Sequence, residues 1–335
     1  MSDEGFAEQL SKIAASFFSS YWRWEIATTE LIEPTVEAEL SRRLPHIPTS
    51  SWPARFDLGG VYVAGELVPM GTRIISPCRL EYYEPRMSIE RVASFYPRFS
   101  PEMVLYVDED CAVVFKPAGL PTTPARDQQR YSMQRYLEQH FCKAVHMPSR
   151  LDTAVSGVVL CSLSPRMNRY LQKAYDRRWI EKVYVAEVSA TPSWSTRVCE
   201  QPIERDPRHP VLRRCAGSGG ESARTRFHRL GSIVRDGVTM AILQAEPVTG
   251  RTHQIRVHCA YEGFPIVGDP YYGGQDAPEL HLMSYAVKLF HPFRQEHTAI
   301  CVPAELLPDW LHGVELPHIP GGASSSCLEP GQRNL

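Results

Sequence analysis

The chain has 335 residues, 43% of them hydrophobic, with 36 Lys and Arg against 38 Asp and Glu for a net charge of −2; its pI is near 6.6. That length can bury a sizeable core and suits one large domain or two smaller ones. No run is apolar enough to span a bilayer, and the charge balance excludes a uniformly basic nucleic-acid binder, so contact with phosphate would need a local patch. The acidic start, Met1-Ser2-Asp3-Glu4, does not suit a secretory signal, and the expectation is a soluble, cytoplasmic monomer. The nine cysteines include no pair at the gap of a zinc ribbon or redox motif, so they read as reduced, packed thiols. Cys111 and Cys161 lie in strand-like runs, where cysteine behaves as a small hydrophobe.

The first hundred residues are aromatic and acidic, then rich in proline from Pro45 to Pro53. Phe56 to Gly65 reads as turns and short strands. A boundary near Ser100 to Met103 gives an N-terminal region 1–103, a larger region 104–318 and a tail 319–335, in which Gly321 to Ser326 is too small and polar to order itself. Ala112-Val113-Val114-Phe115 predicts a buried strand ended by the turn Lys116-Pro117-Ala118-Gly119. Met133, Tyr136, Leu137, His140, Phe141 and Ala144 recur at helical spacing.

Ser164-Pro165 predicts a second helix start, with Met167, Tyr170, Leu171, Ala174 and Tyr175 on one face. Arg166, Arg169, Lys173 and Arg177 fall on the other, either as a solvated surface or as a phosphate-binding stripe. Ile180 to Ser189 alternates as a strand, placing Lys182, Tyr184 and Ala186 to one side. Gly217-Ser218-Gly219-Gly220 lacks the lysine and hydroxyl of a phosphate loop and reads as a plain loop. Val238 to Ala245 is another apolar strand, and the turn at Gly250 leads to a helix capped by Thr252. Strands and helices mixed without a strict βαβ rhythm indicate an α+β fold.

Chemistry points to Arg150-Leu151-Asp152, at the mouth of the strand Val158-Val159-Leu160-Cys161. A lone aspartate beside a turn ordinarily caps it, whereas a working carboxylate needs its charge and hence a nearby cation. Arg256, one turn beyond the expected cap, is the candidate. Arg251, before the helix, could reach phosphate. For both arginines the ordinary alternative is a surface salt bridge. His253 and His258 are five apart, off the spacing that puts two metal ligands on one helix face, so no metal is expected.

Gly250 to His258, followed by Gly263 to Gly273, resembles the signature block of RluA-type pseudouridine synthases. In order along the chain, Lys116 to Pro121 resembles that family's first strand and turn, Arg150-Leu151-Asp152 with Ser156-Gly157 its aspartate motif, and Lys182 to Ala186 its tyrosine motif. The resemblance covers about residues 104 to 315; Ala223 to Phe227 and Leu280 to Pro292 match more weakly. It implies a mixed, mostly antiparallel sheet flanked by helices, with an active-site cleft, and isomerisation of uridine to pseudouridine in structured RNA, ribosomal or transfer, without a cofactor. By resemblance, Asp152 is the nucleophile, Tyr184 the ring stacked on uracil and a proton acceptor, and Arg256 the partner that keeps Asp152 ionised. Ile255 packs near the base and Arg150 enters the RNA stack as the uridine flips out. Lys182, Arg251, Arg169 and Lys173 complete the expected substrate contacts. Asp152 could attack the ribose or the uracil ring, or start a glycal route.

Two positions depart from the family pattern, Ser149 in place of histidine and Val155 in place of threonine. Val61 to Val68 with Gly71 to Ile74 resembles the second half of a small RNA-binding module, without an evident helical, basic first half. Two other classes compete: an RNA-binding protein that kept the fold and lost catalysis, and a glycosidase. The first is disfavoured by the joint presence of Asp152, Tyr184 and Arg256, the second by the lack of a second motif carboxylate.

Overall fold

A computed structural model describes residues 21–30, 32–207, 213–215, 219–235, 237–320 and 322–323. The chain divides into two compact units, Met1–Pro97 with Thr123–Tyr136, and Arg98–Thr122 with Leu137–Leu335. The expected uninterrupted 104–318 region is therefore broken at Thr123–Tyr136. That stretch is hydrogen-bonded into the first unit: Gln129 Nε2 donates to the Tyr62 hydroxyl at 2.8 Å, and the Gln129 amide donates to Leu58 O at 2.8 Å.

The first unit contains β1 (Tyr21–Ile26), α1 (Val36–Arg43), α2 (Trp52–Leu58), β2 (Val61–Val63), β3 (Glu66–Leu67), β4 (Cys78–Tyr83) and α3 (Ile89–Phe95). Its antiparallel sheet runs β1-β4-β2-β3. Two expectations change here. Phe56 to Leu58 is helical, because Pro53 suits a first turn and Gly59, at φ 83°, ends the helix. Two helices, α1 and α2, precede β2 where no helix was evident in the sequence; in α1, Arg42 and Arg43 both bind the buried Glu39. The core of the unit packs Trp52, Leu80 and Tyr82 against Val36 and Leu40.

The second unit is built on β5 (Val104–Val107), β6 (Cys111–Lys116), β7 (Ser156–Ser162), β8 (Glu181–Val188), β9 (Thr196–Cys199), β12 (Thr225–Arg235), β13 (Val238–Pro247), β14 (Leu282–His291), β15 (Glu296–Cys301) and β16 (Gly322–Ala323). They form one sheet in the order β5-β6-β7-β14-β8-β13-β12-β9, with β15 on β14 and β16 on β15. A separate ribbon pairs β10 (Ile203–Arg205) with β11 (Arg213–Cys215). Among the described residues only β7–β14 and β15–β16 are parallel, so the sheet is mixed and mostly antiparallel, in an α+β fold. Gly322 and Ala323 pair with Ala299 and Ile300, so the tail is strand-paired at these two residues; the rest of the expected disordered segment lies outside the described residues. Gly217 and Ser218 also lie outside them.

Helix α4 (Met133–Phe141) spans the boundary between the units at Tyr136, and two helices, α5 (Pro165–Asp176) and α6 (Gln254–Tyr261), accompany the sheet among the described residues. Helix α4 stops short of Ala144, since Cys142 turns left-handed at φ 52°. Helix α5 begins where expected: the Ser164 hydroxyl accepts the Met167 amide at 3.2 Å and donates to Asp110 at 2.6 Å. Its face of Met167, Leu171 and Ala174 covers one side of the sheet with Val185, Ile242 and Met283. Ile255 and Cys259 of α6 cover the other side with Tyr184, Ala186 and Leu243. Among the described residues no helix is long and apolar enough to cross a membrane.

The parallel pair β7–β14 positions the loop before β7. Gly157 sits at φ 116°, and a Cβ there would lie 2.1 Å from Ser284 O, so the strands approach as closely as they do only without a side chain. Gly157→Ala should therefore destabilise the protein by at least ~3 kcal/mol in urea unfolding, whereas Gly273→Ala, which meets no atom, should cost about 1 kcal/mol from its positive φ.

Candidate active site

Asp152 lies in the loop between α4 and β7, its side chain 31% exposed. The loop is fastened from both sides. Thr122 Oγ1 donates to Leu151 O at 2.9 Å and accepts the Leu151 amide at 3.1 Å, a reciprocal pair immediately before the aspartate. Immediately after it, Thr153 O accepts the Gly119 amide at 2.8 Å and Lys116 Nζ at 3.2 Å. Lys116 is wholly buried and also donates to Pro117 O at 2.9 Å and Leu120 O at 2.8 Å. Burial lowers its pKa to about 7, while the charge of Asp152 acts the other way; its three carbonyl acceptors match the three donors of an ammonium.

Arg256 faces Asp152 from α6, Nη1 to Oδ2 at 3.5 Å. It is buried and held in a bidentate ion pair, with both Nε and Nη2 at 2.7 Å from the carboxylate of Asp269. Its guanidinium lies 4.8 Å from the ring centre of Tyr271 and 5.3 Å from that of Tyr272. Burial alone would lower the Arg256 pKa, but its hydrogen bonds to Asp269 and the charges of Asp269 and Asp152 raise it. Asp269 also accepts the Tyr271 amide at 2.9 Å.

The helix start differs from expectation. Its cap position is His253, left-handed at φ 57°, instead of Thr252, so Arg256 is the third helical residue and lies within the first turn. Gln254 organises the turn: its Oε1 accepts Thr249 Oγ1 at 2.7 Å and the Arg251 amide at 3.0 Å, and its Nε2 donates to Arg224 O and Thr225 Oγ1, both at 3.0 Å. His253 Nδ1 is 2.7 Å from the Tyr272 hydroxyl, and Nε2 is 3.7 Å from Asp152. Burial, with the Arg256 charge, lowers the His253 pKa to about 4. The imidazole is neutral at pH 7, so its approach to Asp152 is no salt bridge.

Tyr184 is buried near the middle of β8. Burial raises its phenol pKa and the Asp152 charge adds to this, against a hydrogen bond with Ser284. Ile255 and Val155 share an apolar cluster with it, to which Leu151 adds. A narrow hollow beside Tyr184 is lined by Ser149, Arg150, Tyr175 and Lys182 among others. Ser149, at the first departure from the family pattern, hydrogen-bonds Tyr175. Lys182 stands 5.8 Å from the Tyr175 ring centre, its pKa lowered by burial.

The remaining expected residues lie farther from this group. Arg251 is tied to the neighbouring loop, Nε to Ser222 O at 3.0 Å and Nη1 to Glu221 at 2.8 Å. Within the basic stripe Arg166 is spent on Asp110, whereas Arg169 and Lys173 are exposed, and Lys173 and Arg177 lie over the half-exposed ring of Trp179. Asp108, Cys111 and His291 converge closely enough to suggest metal ligands. The Asp108 carboxylate, however, accepts from Tyr106 Oη and the amides of Asp110 and Cys111, with Arg294 at 3.3 Å, and so serves as a hairpin anchor.

Sequence reasoning missed Asp269, Lys116, His253 and Tyr272. A usable signal for Asp269 was its position straight after Gly268, whose φ of 73° marks a tight turn where a Cβ would meet Glu279 O at 1.7 Å. Lys116 read as the end of a strand. The lowered pKa of His253 has a thermodynamic consequence. The unfolded chain takes up a proton near pH 6.5 and the folded chain only near 4, so stability should fall as pH drops through that window, by ~3 kcal/mol. Urea unfolding from pH 7 to pH 4 should show this loss in the wild type and a smaller one in His253→Gln.

Comparison with known proteins gives the family. The family model for RNA pseudouridylate synthase matches residues 110–261. The dual-specificity RNA pseudouridine synthase RluA of Salmonella typhi is 32% identical over 211 residues, 61% of this chain and 93% of that protein. The uncharacterized RNA pseudouridine synthase YhcT of Bacillus subtilis is 31% identical over 188 residues, 54% of this chain and 61% of that protein. In fold, the human RNA pseudouridylate synthase domain containing 1 aligns with a TM-score of 0.54 at 24% identity, covering 63% of this chain and 88% of that one. The chain belongs to the RluA-type pseudouridine synthases, a family of RNA-acting isomerases.

Proposed function

We propose that the protein isomerises uridines in structured RNA, ribosomal or transfer, to pseudouridine, with Asp152 as nucleophile acting on a nucleotide flipped out of its stack. The observation that carries the reading is a partly open carboxylate at 3.5 Å from a buried guanidinium whose position is fixed by a second carboxylate. The reaction breaks the bond from ribose C1′ to uracil N1, joins C1′ to C5, and exchanges the C5 proton for one on N1, so no redox partner is consumed. Base flipping is required because both ring atoms are shielded in a stack.

Arg256 orients the Asp152 carboxylate, and Asp269 prevents that arginine from following it into the reaction. Tyr184 and Ile255 offer the base a flat apolar wall. Burial and the charge of Asp152 hold the Tyr184 phenol in its protonated form; consumption of that charge in a covalent adduct eases loss of the hydroxyl proton, which passes to uracil N1 as the phenol oxygen takes up the C5 proton. Arg150 is exposed beside Asp152 and suits the gap left in the RNA stack. Lys182 supplies a donor within the hollow, and Arg251 supports the loop at Ser222 and Glu221.

Purified protein should form pseudouridine in total RNA, read by mapping the modified positions. Asp152→Asn should reduce product to background with RNA affinity within about threefold of wild type; unaltered product formation by this variant would exclude the nucleophile role. Arg169→Ala with Lys173→Ala should weaken RNA binding and lower the slope of log affinity against log salt by about 1.5. An unchanged slope would show the stripe to be only solvated surface.

A further inference from the structure

The geometry points to a second RNA contact, on the outward face of the first unit's sheet, that takes an unpaired, single-stranded segment; this rests on the function proposed above. The opposite face is the core, with Trp22, Trp24, Leu80 and Tyr82 turned inward. On the outward face Tyr21 of β1 and Tyr83 of β4 are cross-strand partners whose rings stack at 4.7 Å and 23°. Tyr62 of β2 meets Tyr83 edge-on at 5.6 Å. Arginines flank these rings: Arg23 lies 5.6 Å from the Tyr21 ring centre, and Arg126 lies 5.0 Å from that of Tyr62 and 5.6 Å from that of Tyr83.

One buried group organises the cations. Glu81 is 1% exposed and is approached by Arg23 at 2.8 Å and by Arg79 and Arg126 at 3.4 Å, while the side chains of those arginines stay 50%, 40% and 56% exposed. A single carboxylate hydrogen-bonds Arg23 and Arg126, draws Arg79 close, and neutralises one of the three charges. Glu25, opposite Arg79 across the ladder, offsets a second, which leaves the face with net positive charge.

A partly exposed aromatic pair edged by guanidinium groups suits a flexible strand better than a duplex. Unpaired bases can stack on tyrosine while phosphates reach the arginines, and the bases of a duplex cannot. Tyr21, 44% exposed on the first strand of the sheet, is the ring open to such a base.

The test uses the full-length protein with two labelled probes, an unstructured oligouridylate and an RNA hairpin stem of similar length. Tyr21→Leu, which keeps bulk and removes the flat ring, should weaken oligouridylate binding ~10-fold and hairpin binding much less, while Tyr21→Phe should bind like wild type. Arg126→Gln, at a half-exposed position, should weaken oligouridylate binding independently should Tyr21→Leu prove unstable in urea. Unchanged oligouridylate affinity in the folded variants, or equal losses for both probes, would overturn the inference. Pseudouridine formation is scored separately: wild-type product with no binding effect sinks this surface alone, and no wild-type product sinks the proposed reaction alone.

Discussion

The second unit is organised around the buried ion pair between Arg256 and Asp269. A guanidinium taken out of water is costly unless its charge and donors are met, and the two 2.7 Å contacts to Asp269 meet them before Asp152 is considered. The remaining Nη1 is therefore available to a second carboxylate without being able to leave for it. Asp269 is held in turn by the Tyr271 amide, and Gly274 lets the following turn close, since a Cβ there would lie 1.8 Å from Ile266 O. Two residues 13 apart thus converge on a loop roughly a hundred residues earlier, through a fixed cation.

The sheet supplies the other half of this arrangement. Strand β8 is central, buried on both sides over most of its length, so Tyr184 projects towards α6 while Val185 projects into the cluster beneath α5. Strand β14 meets β7 in parallel and β8 in antiparallel pairing, which brings the start of β7, and with it the aspartate loop, beside Tyr184. The contact depends on Gly157, and it explains why a glycine follows the aspartate motif at that point.

Much of this was legible from residue pattern. The strands around Ala112 and Val238 and the serine-capped helix at Ser164 follow from apolar runs and capping chemistry. The need of Asp152 for a cation made Arg256 a candidate, and family resemblance made it the partner, because spacing within a sequence cannot bring together residues 104 positions apart. What stayed hidden is of two kinds. Helix α2 was masked by Pro53 and the prolines just before it, and the His253 cap by a left-handed residue that is not glycine, a conformation few sequence cues announce. The roles of Asp269 and Lys116 were hidden because a charged residue in an apolar block reads as its edge, while its burial depends on partners supplied by other segments. The division of the chain was illegible for the same reason: Thr123–Tyr136 carries no compositional mark of its allegiance to the first unit.

The double fastening of the Asp152 loop bears on how specificity can arise. Its backbone is pinned by Thr122 on one side and by Lys116 and Gly119 on the other, so this carboxylate has little freedom to travel towards a partner. On the proposed reaction the nucleotide does the travelling. The energetic burden of distortion would then fall on the RNA, and sites would compete by how cheaply each can deform to deliver a uridine. Such an enzyme reads pliability as well as sequence.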